Sequence, residues 1–122
     1  MCLKEKISLV EDIDRINVDI VVKSILRNKI SNRVLLIQRC DTDSVGANTW
    51  ENAGGNIENG EKLEEALRRE IKEEVGLMDI TIERVAYCTL VRGEFPCLII
   101  VYLCETSEDV VTLSEEHQAY LW

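Results

Sequence analysis

Glu70, Glu73 and Glu74 stand close together in the segment LEEALRREIKEEVGL, which runs from Leu63 to Leu77. Leu63, Ala66, Leu67, Ile71 and Val75 recur at spacings of three and four, which predicts an amphipathic helix from Lys62 to Val75. Gly76 follows the last apolar residue, where a left-handed cap is expected. At about 100° per residue the three glutamates share an arc of about 100°, beside the arc of Leu67, Ile71 and Val75. They border the buried face instead of opposing it, which places them at the edge of a cleft.

Such an arrangement is unfavourable for a bare helix. Glu70 and Glu74 are like charges at i and i+4, at a cost of roughly 0.2–0.5 kcal/mol in an isolated helix. Glu73 and Glu74 also occupy the last turn, where the macrodipole favours cations. Clustered carboxylates with no nearby Cys or His suit a hard divalent cation, Mg²⁺ or Mn²⁺, shared with substrate phosphates. An ordinary solvated face is the competing explanation, and Lys62, Glu65, Arg68, Arg69 and Lys72 form one on the far side.

The run from Gly55 to Leu77, GNIENGEKLEEALRREIKEEVGL, resembles the Nudix box at every fixed position: Gly55, Glu61, Arg69, Glu70, Ile71, Glu73, Glu74, Gly76 and Leu77. That agreement outweighs the solvated-face explanation. The resemblance implies an α/β (α+β) fold, an α/β/α sandwich around a mixed β-sheet, with the whole chain, residues 1–122, as one domain. VLLIQR, the later Trp50 and GGNIENGE are similar to the family's usual approach to the box, and LSEEHQAYLW to a segment near its carboxyl end. Two departures stand out. Ala53 holds a position that is commonly Pro, and the chain stops at Trp122, where relatives continue into a further helix. A truncated domain lacking its C-terminal helix is therefore expected, with apolar sheet exposed or covered by a partner chain, a homodimer being one such arrangement.

Carried over from the family, Glu70, Glu73 and Glu74 are implied metal ligands, with the Gly55 carbonyl as a further one. Arg69 is implied to orient Glu70 or the loop through a charge-assisted hydrogen bond. Gly54 and Gly55 would bring the backbone close to the diphosphate, and Arg39 is a candidate contact for phosphate or base. The general base stays open between Glu70 and the later Glu94, Glu115 and Glu116, of which Glu116 is retained as a catalytic candidate. Glu58 and Glu61 are read as groups at the start of the helix or behind the ligands. Trp50, Phe95, Tyr120 and Trp122 are candidates for stacking on a base. His117, the only histidine, is read as structural or solvent-facing, and no zinc site or His triad is expected around it.

Composition sets the outer limits. The chain has 122 residues, 46% hydrophobic and 30% charged, enough for a single core. A net charge of −9 argues against binding nucleic acid polymers or anionic membranes, while leaving a nucleotide substrate open. Its five cysteines are odd in number and lack CxxC spacing, so neither a disulfide framework nor a zinc site is indicated. Cys88, Cys97 and Cys104 lie in apolar runs and are read as small buried hydrophobes. No signal peptide or apolar run of about 20 residues is present, and a reducing cytoplasm is the expected compartment.

Along the chain, residues 1–15 are read as a mobile arm or a first edge strand. Ile16 to Leu26 and Val34 to Arg39 are expected to form strands joined as a hairpin through the polar turn from Arg27 to Arg33. Ile80 to Val91 and Cys97 to Cys104 are two more strands around the turn Arg92-Gly93-Glu94-Phe95-Pro96. Val110 to Leu113 suggests a short strand, followed by a helix start at Ser114 with acids in its first turn.

The implied activity is Mg²⁺-dependent hydrolysis of a nucleoside diphosphate linked to another group, first of all a nucleoside triphosphate cut to the monophosphate and pyrophosphate. ADP-ribose, dinucleoside polyphosphates and nucleotide sugars are alternative substrates. A noncatalytic nucleotide sensor of the same fold is a second class, disfavoured because every box glutamate is kept. Diphosphate isomerase chemistry would need Cys and His roles that a chain with one His supplies poorly.

Overall fold

The computed structural model describes residues 14–122. The arm or edge strand expected for residues 1–15 therefore lies almost wholly outside the described residues. Seven strands and one helix make up the described chain: β1 (Asp19–Asn28), β2 (Leu36–Arg39), β3 (Trp50–Glu51), β4 (Gly54–Asn56), α1 (Leu63–Val75), β5 (Thr81–Val91), β6 (Cys97–Thr106) and β7 (His117–Leu121). They build a mixed four-stranded sheet, ordered β4-β1-β6-β5, and a three-stranded antiparallel sheet, ordered β3-β2-β7. The mixed character comes from β1 and β6, which run parallel in register from Asp19 opposite Cys97 to Asn28 opposite Thr106. This is the α+β arrangement expected from the sequence, with one helical layer among the described residues.

The helix forms where its periodicity places it. Ala66, Leu67, Ile71 and Val75 are fully buried and join Val22 and Leu26 of β1 and Leu35 and Ile37 around β2 in one core. Removing each of these larger side chains from water contributes roughly 1.5–3 kcal/mol before ordering costs. At the start of α1, Lys62 N–H donates to Glu65 Oε2, closing the backbone half of a capping box. At its end Gly76 turns left-handed, φ 73°, and its N–H donates to Lys72 O.

Three local expectations are corrected. The run Val110 to Leu113 is not a strand: Thr112 and Ser114 instead donate their N–H groups to the carbonyls of Val75 and Glu74. Those are the carbonyls that a helix end leaves unpaired, so the segment caps α1 instead of joining a sheet. No helix begins at Ser114 either. Its oxygens accept from Glu116 N–H and His117 N–H, making a turn that delivers the chain into β7. Finally, β1 and β2 touch as a hairpin only at the bridge between Arg27 and Val34 before entering different sheets. Asn28 Oδ1 shapes that turn by accepting from Ile30 and Ser31 N–H.

The cysteines also differ from expectation. Cys104 is buried and Cys97 half-buried, but Cys88 is exposed on β5, which has β6 alone as its paired neighbour among the described strands. Among the described residues no helix is long and apolar enough to cross a membrane.

Gly76 is the position where a side chain is least welcome at the end of the helix. An added Cβ would lie 3.2 Å from Thr112 Cβ, on a left-handed backbone that costs an L-residue about 1–2 kcal/mol. Gly76→Ala is expected to lower the free energy of urea unfolding by that amount. An unchanged midpoint would show that the cap tolerates a side chain.

Candidate active site in an acid-lined cleft

Angular position on α1 decides how deeply each box glutamate is buried. Relative to the centre of the apolar arc, Glu74 lies about 60° away, Glu70 about 100° and Glu73 about 160°. Side-chain exposure follows that order at 6%, 16% and 56%. All three line a cleft of about 970 Å³, together with Arg69, the β4 backbone at Gly54, Gly55 and Asn56, and the loop residues Ser114, Glu115 and Glu116. Val21, Cys97 and Ile99 from the parallel pair add an apolar wall.

The two glycines make close approach possible. A Cβ on Gly54 would fall 2.0 Å from the Val22 carbonyl oxygen, and one on Gly55 would fall 2.6–2.7 Å from the Glu70 carboxyl group. Any side chain at Gly55 would thus occupy the space the Glu70 carboxylate holds. Gly54 N–H in turn donates to Glu74 Oε1 at 2.7 Å, a buried bond that pins the helix to β4.

Arg69 organises the solvent side. Its Nε and Nη2 donate to the two oxygens of Glu61 at 2.7 and 3.0 Å, a bidentate pair. Nη1 donates to Glu70 Oε1 at 3.0 Å and to Glu73 Oε2 at 3.1 Å, and Nη2 also reaches the Asn56 carbonyl. The arginine therefore contacts Glu70 and the loop at once, both of the alternatives left open by the sequence. The Arg69 hydrogen bonds, joined by the backbone N–H of Glu58, hold Glu61 below the usual carboxylate range.

Burial has the opposite effect deeper in. It raises Glu70 despite its bond to Arg69, and pushes Glu74 up to about 7 despite the Gly54 N–H. Glu51 on β3 is pushed up by burial too, but Lys23 and Arg39 together hold it below its ordinary value. Lys23 Nζ donates to Glu51 Oε1 at 3.2 Å, and Arg39 Nη1 to Glu51 Oε2 at 3.0 Å.

Among the candidates for a later base, Glu115 and Glu116 line the same cleft as Glu70, whereas Glu94 lies in a separate hollow beside Phe95 and Pro96. Arg39 lines the cleft but is engaged, with Nη2 donating to Asp43 Oδ2 at 2.7 Å as well as Nη1 to Glu51. None of Trp50, Phe95, Tyr120 and Trp122 lines the cleft, and Trp122 Nε1 donates to the Asp109 carbonyl.

Of the two alternatives the sequence left for His117, structural or solvent-facing, burial excludes the second. Its side chain is 2% exposed, with Nδ1 3.7 Å from Glu74 Oε2 and Nε2 3.5 Å from Glu51 Oε1. One atom from each of these three residues lies within 4.8 Å of the others, a grouping able to hold a metal ion. Sequence reasoning missed Lys23, Glu51 and this use of His117. The available signal was Lys23 itself, a charge inside the apolar run IVVKSIL.

Residues 17–122 match the family model of the NUDIX domain. This match, with the nucleoside triphosphatase relatives below, identifies a hydrolase of phosphoanhydride bonds. The chain belongs to the Nudix hydrolase family, whose members generally use divalent metals. It is 34% identical over 99 residues to the nucleoside triphosphatase NudI of Escherichia coli O139:H28 (strain E24377A / ETEC), covering 72% of this chain and 70% of that one. Among solved structures it resembles a MutT protein from Methanosarcina mazei Go1, at 28% identity and a TM-score of 0.78, covering 90% of this chain and 79% of that one. A C. elegans Ap4A hydrolase is similar at 25% identity and a TM-score of 0.73, covering 86% of this chain and 79% of that one.

The donor set fits such a metal. Three carboxylates line one cleft, two of them carry a proton more readily than free glutamate, and the Gly55 backbone comes against Glu70 without an intervening side chain. Glu74 binds its proton more tightly in the folded than in the unfolded chain. Its contribution to stability is therefore full below about pH 4.5 and lost as pH rises through about 7, a swing of roughly 3 kcal/mol. The metal-free protein should lose stability between pH 5 and 8, and Glu74→Gln should flatten that slope. Parallel pH profiles of the two proteins in thermal unfolding would refute the assignment of the shift to Glu74.

Proposed function

We propose that this Nudix hydrolase is a Mg²⁺- or Mn²⁺-dependent nucleoside triphosphate pyrophosphohydrolase. The observation that carries the reading is that Glu70, Glu73 and Glu74 line one cleft with the Gly54-Gly55 backbone, which touches Glu74 and Glu70. The nucleoside triphosphatase activity named for the NudI relative supports the choice of substrate class.

In this reading Glu70, Glu73 and Glu74 hold the metal, with the Gly55 carbonyl as a further oxygen. The metal supplies charge neutralisation for the diphosphate and acidifies water. Arg69 keeps Glu70 and Glu73 in place from the solvent side, and Gly54 does so for Glu74 from the core. Water attacks one of the two phosphorus atoms flanking the α–β bridging oxygen. A new P–O bond forms, the bond from that phosphorus to the bridging oxygen breaks, and the water proton passes to a carboxylate. Glu70 is the favoured acceptor, because burial raises its proton affinity and it lines the cleft. Glu116, an exposed residue of the same cleft, is the alternative. Arg39 and Lys23 also line the cleft, both paired with Glu51, and Arg39 would reach a phosphate or base by exchanging Asp43 for the substrate.

A phosphate-release screen with Mg²⁺ tests the substrate. It covers canonical and 8-oxo nucleoside triphosphates, ADP-ribose, diadenosine polyphosphates and nucleotide sugars, with coupling enzymes to identify the product. Turnover of triphosphates to monophosphate and pyrophosphate is expected. Turnover confined to another class would move the assignment there, and a folded but silent protein would favour a sensor.

The roles are tested by substitution. Glu73→Gln and Glu74→Gln should each lower turnover by orders of magnitude with the fold intact, and wild-type activity in either would sink the ligand assignment. Glu70→Gln should cost about 10²- to 10⁴-fold in kcat. A greater loss in Glu116→Gln would move the base to the loop before β7.

A further inference from the structure

His117 has no part in the hydrolysis just described, yet its buried side chain lies directly behind Glu51 and Glu74, which line the cleft. Both ring nitrogens are buried without a hydrogen-bond partner. Orphaned nitrogens in a low-dielectric site are costly, so their surroundings must offer them something. Two carboxylates face them, Glu74 Oε2 at 3.7 Å from Nδ1 and Glu51 Oε1 at 3.5 Å from Nε2. Each gap closes to hydrogen-bond length with a movement of under about 1 Å.

Direct metal ligation fits this geometry less well. Lys23 and Arg39 already place two cations on Glu51, which disfavours a third charge beside it. A single ion can also take only one imidazole nitrogen, whereas here each nitrogen faces its own carboxylate. The Glu74 carboxylate has Oε1 fixed by Gly54 N–H and Oε2 against the imidazole, which leaves its remaining lone pairs for the cleft.

We propose that His117 is a positioning residue, whose imidazole lies between Glu51 and Glu74, donates its N–H to Glu74 and so sets the orientation in which Glu74 meets the metal. The proposal rests on the reading of Glu74 as a ligand. It also makes a continuous line from Asp43 through Arg39, Glu51 and His117 to Glu74, joining the loop before β3 to the catalytic helix. Partners of this kind, one step behind a ligand, typically change metal affinity or activity 10- to 100-fold when removed.

The test uses the full chain and Mn²⁺ as the probe, with free Mn²⁺ read from its EPR signal and steady-state kinetics measured in parallel. His117→Phe should weaken Mn²⁺ binding and lower kcat by about 10- to 100-fold. KM for the nucleotide should move by less than about threefold, because substrate contacts remain. His117→Gln, which retains a donor and guards against misfolding of the phenylalanine variant, should fall between it and wild type. Losses in His117→Gln and Glu51→Gln should not multiply in the double variant, since both cut one line. Wild-type Mn²⁺ affinity in a folded His117→Phe or His117→Gln protein overturns the proposal, as do multiplicative losses. Nitrogen hyperfine coupling in the pulsed EPR spectrum of bound Mn²⁺ would overturn it in favour of direct ligation. If no nucleotide is turned over, the hydrolase reading fails while the Mn²⁺ titration still judges His117, so the two failures are separable.

Discussion

Placing carboxylates beside the buried face in the last turn of a helix is electrostatically unfavourable, and much of the structure around α1 answers that constraint. Two of the three glutamates, Glu73 and Glu74, add negative charge where the helix dipole is already negative. Thr112 and Ser114 quench the terminal carbonyls from outside, and Gly76 turns back to satisfy Lys72 O. Arg69 neutralises the exposed side by reaching Glu61, Glu70 and Glu73. Gly54 supplies a hydrogen bond at the deepest point, where a charged donor would itself be expensive to bury. What these devices leave uncompensated is the proton affinity of Glu70 and Glu74, and a divalent cation is the natural complement to that residue of negative charge.

The same constraint explains why the site draws on so many elements. A helix can supply ligands at i, i+3 and i+4, but it cannot supply the close backbone approach or the cations behind it. β4 contributes the former by running antiparallel to β1, with Gly55 opposite Val22 and Gly54 opposite Lys23. β1 and β2 contribute the latter through Lys23 and Arg39, which converge on Glu51 from the two sheets. The cleft lining is therefore mostly acidic, with Arg69, Lys23 and Arg39 as its cations, the last two already paired with Glu51.

How much of this was legible in the sequence depended on the range of the interactions. The helix, its glycine cap and the long strands announced themselves through period and β-branched content, and their bounds differ from expectation by only a few residues. The box residues were readable because they fall in one short run of sequence, from Gly55 in β4 to Leu77 just after α1. Val110 to Leu113 misled because its composition suits a strand, while its N–H groups found a better use at a helix end distant in sequence. Glu51 and His117 were invisible for a related reason: β3 has two residues, β7 has five, and neither carries a pattern that reveals its partner. Only β2, lying between them, brings Glu51 and His117 to the same side.

The parallel pairing of β1 with β6 has a consequence for how the protein comes into being. Asp19 meets Cys97 and Asn28 meets Thr106, so the central contact of the main sheet joins the two ends of the described chain. Pairings of such long range are slow to form, because loop closure must precede any gain from contact. During synthesis the helix can form early, but its glutamates have no cleft to line until β6 and β7 have left the ribosome. A nascent chain thus carries the Nudix box without a binding site, and competence for metal and nucleotide arrives together with the completed sheet.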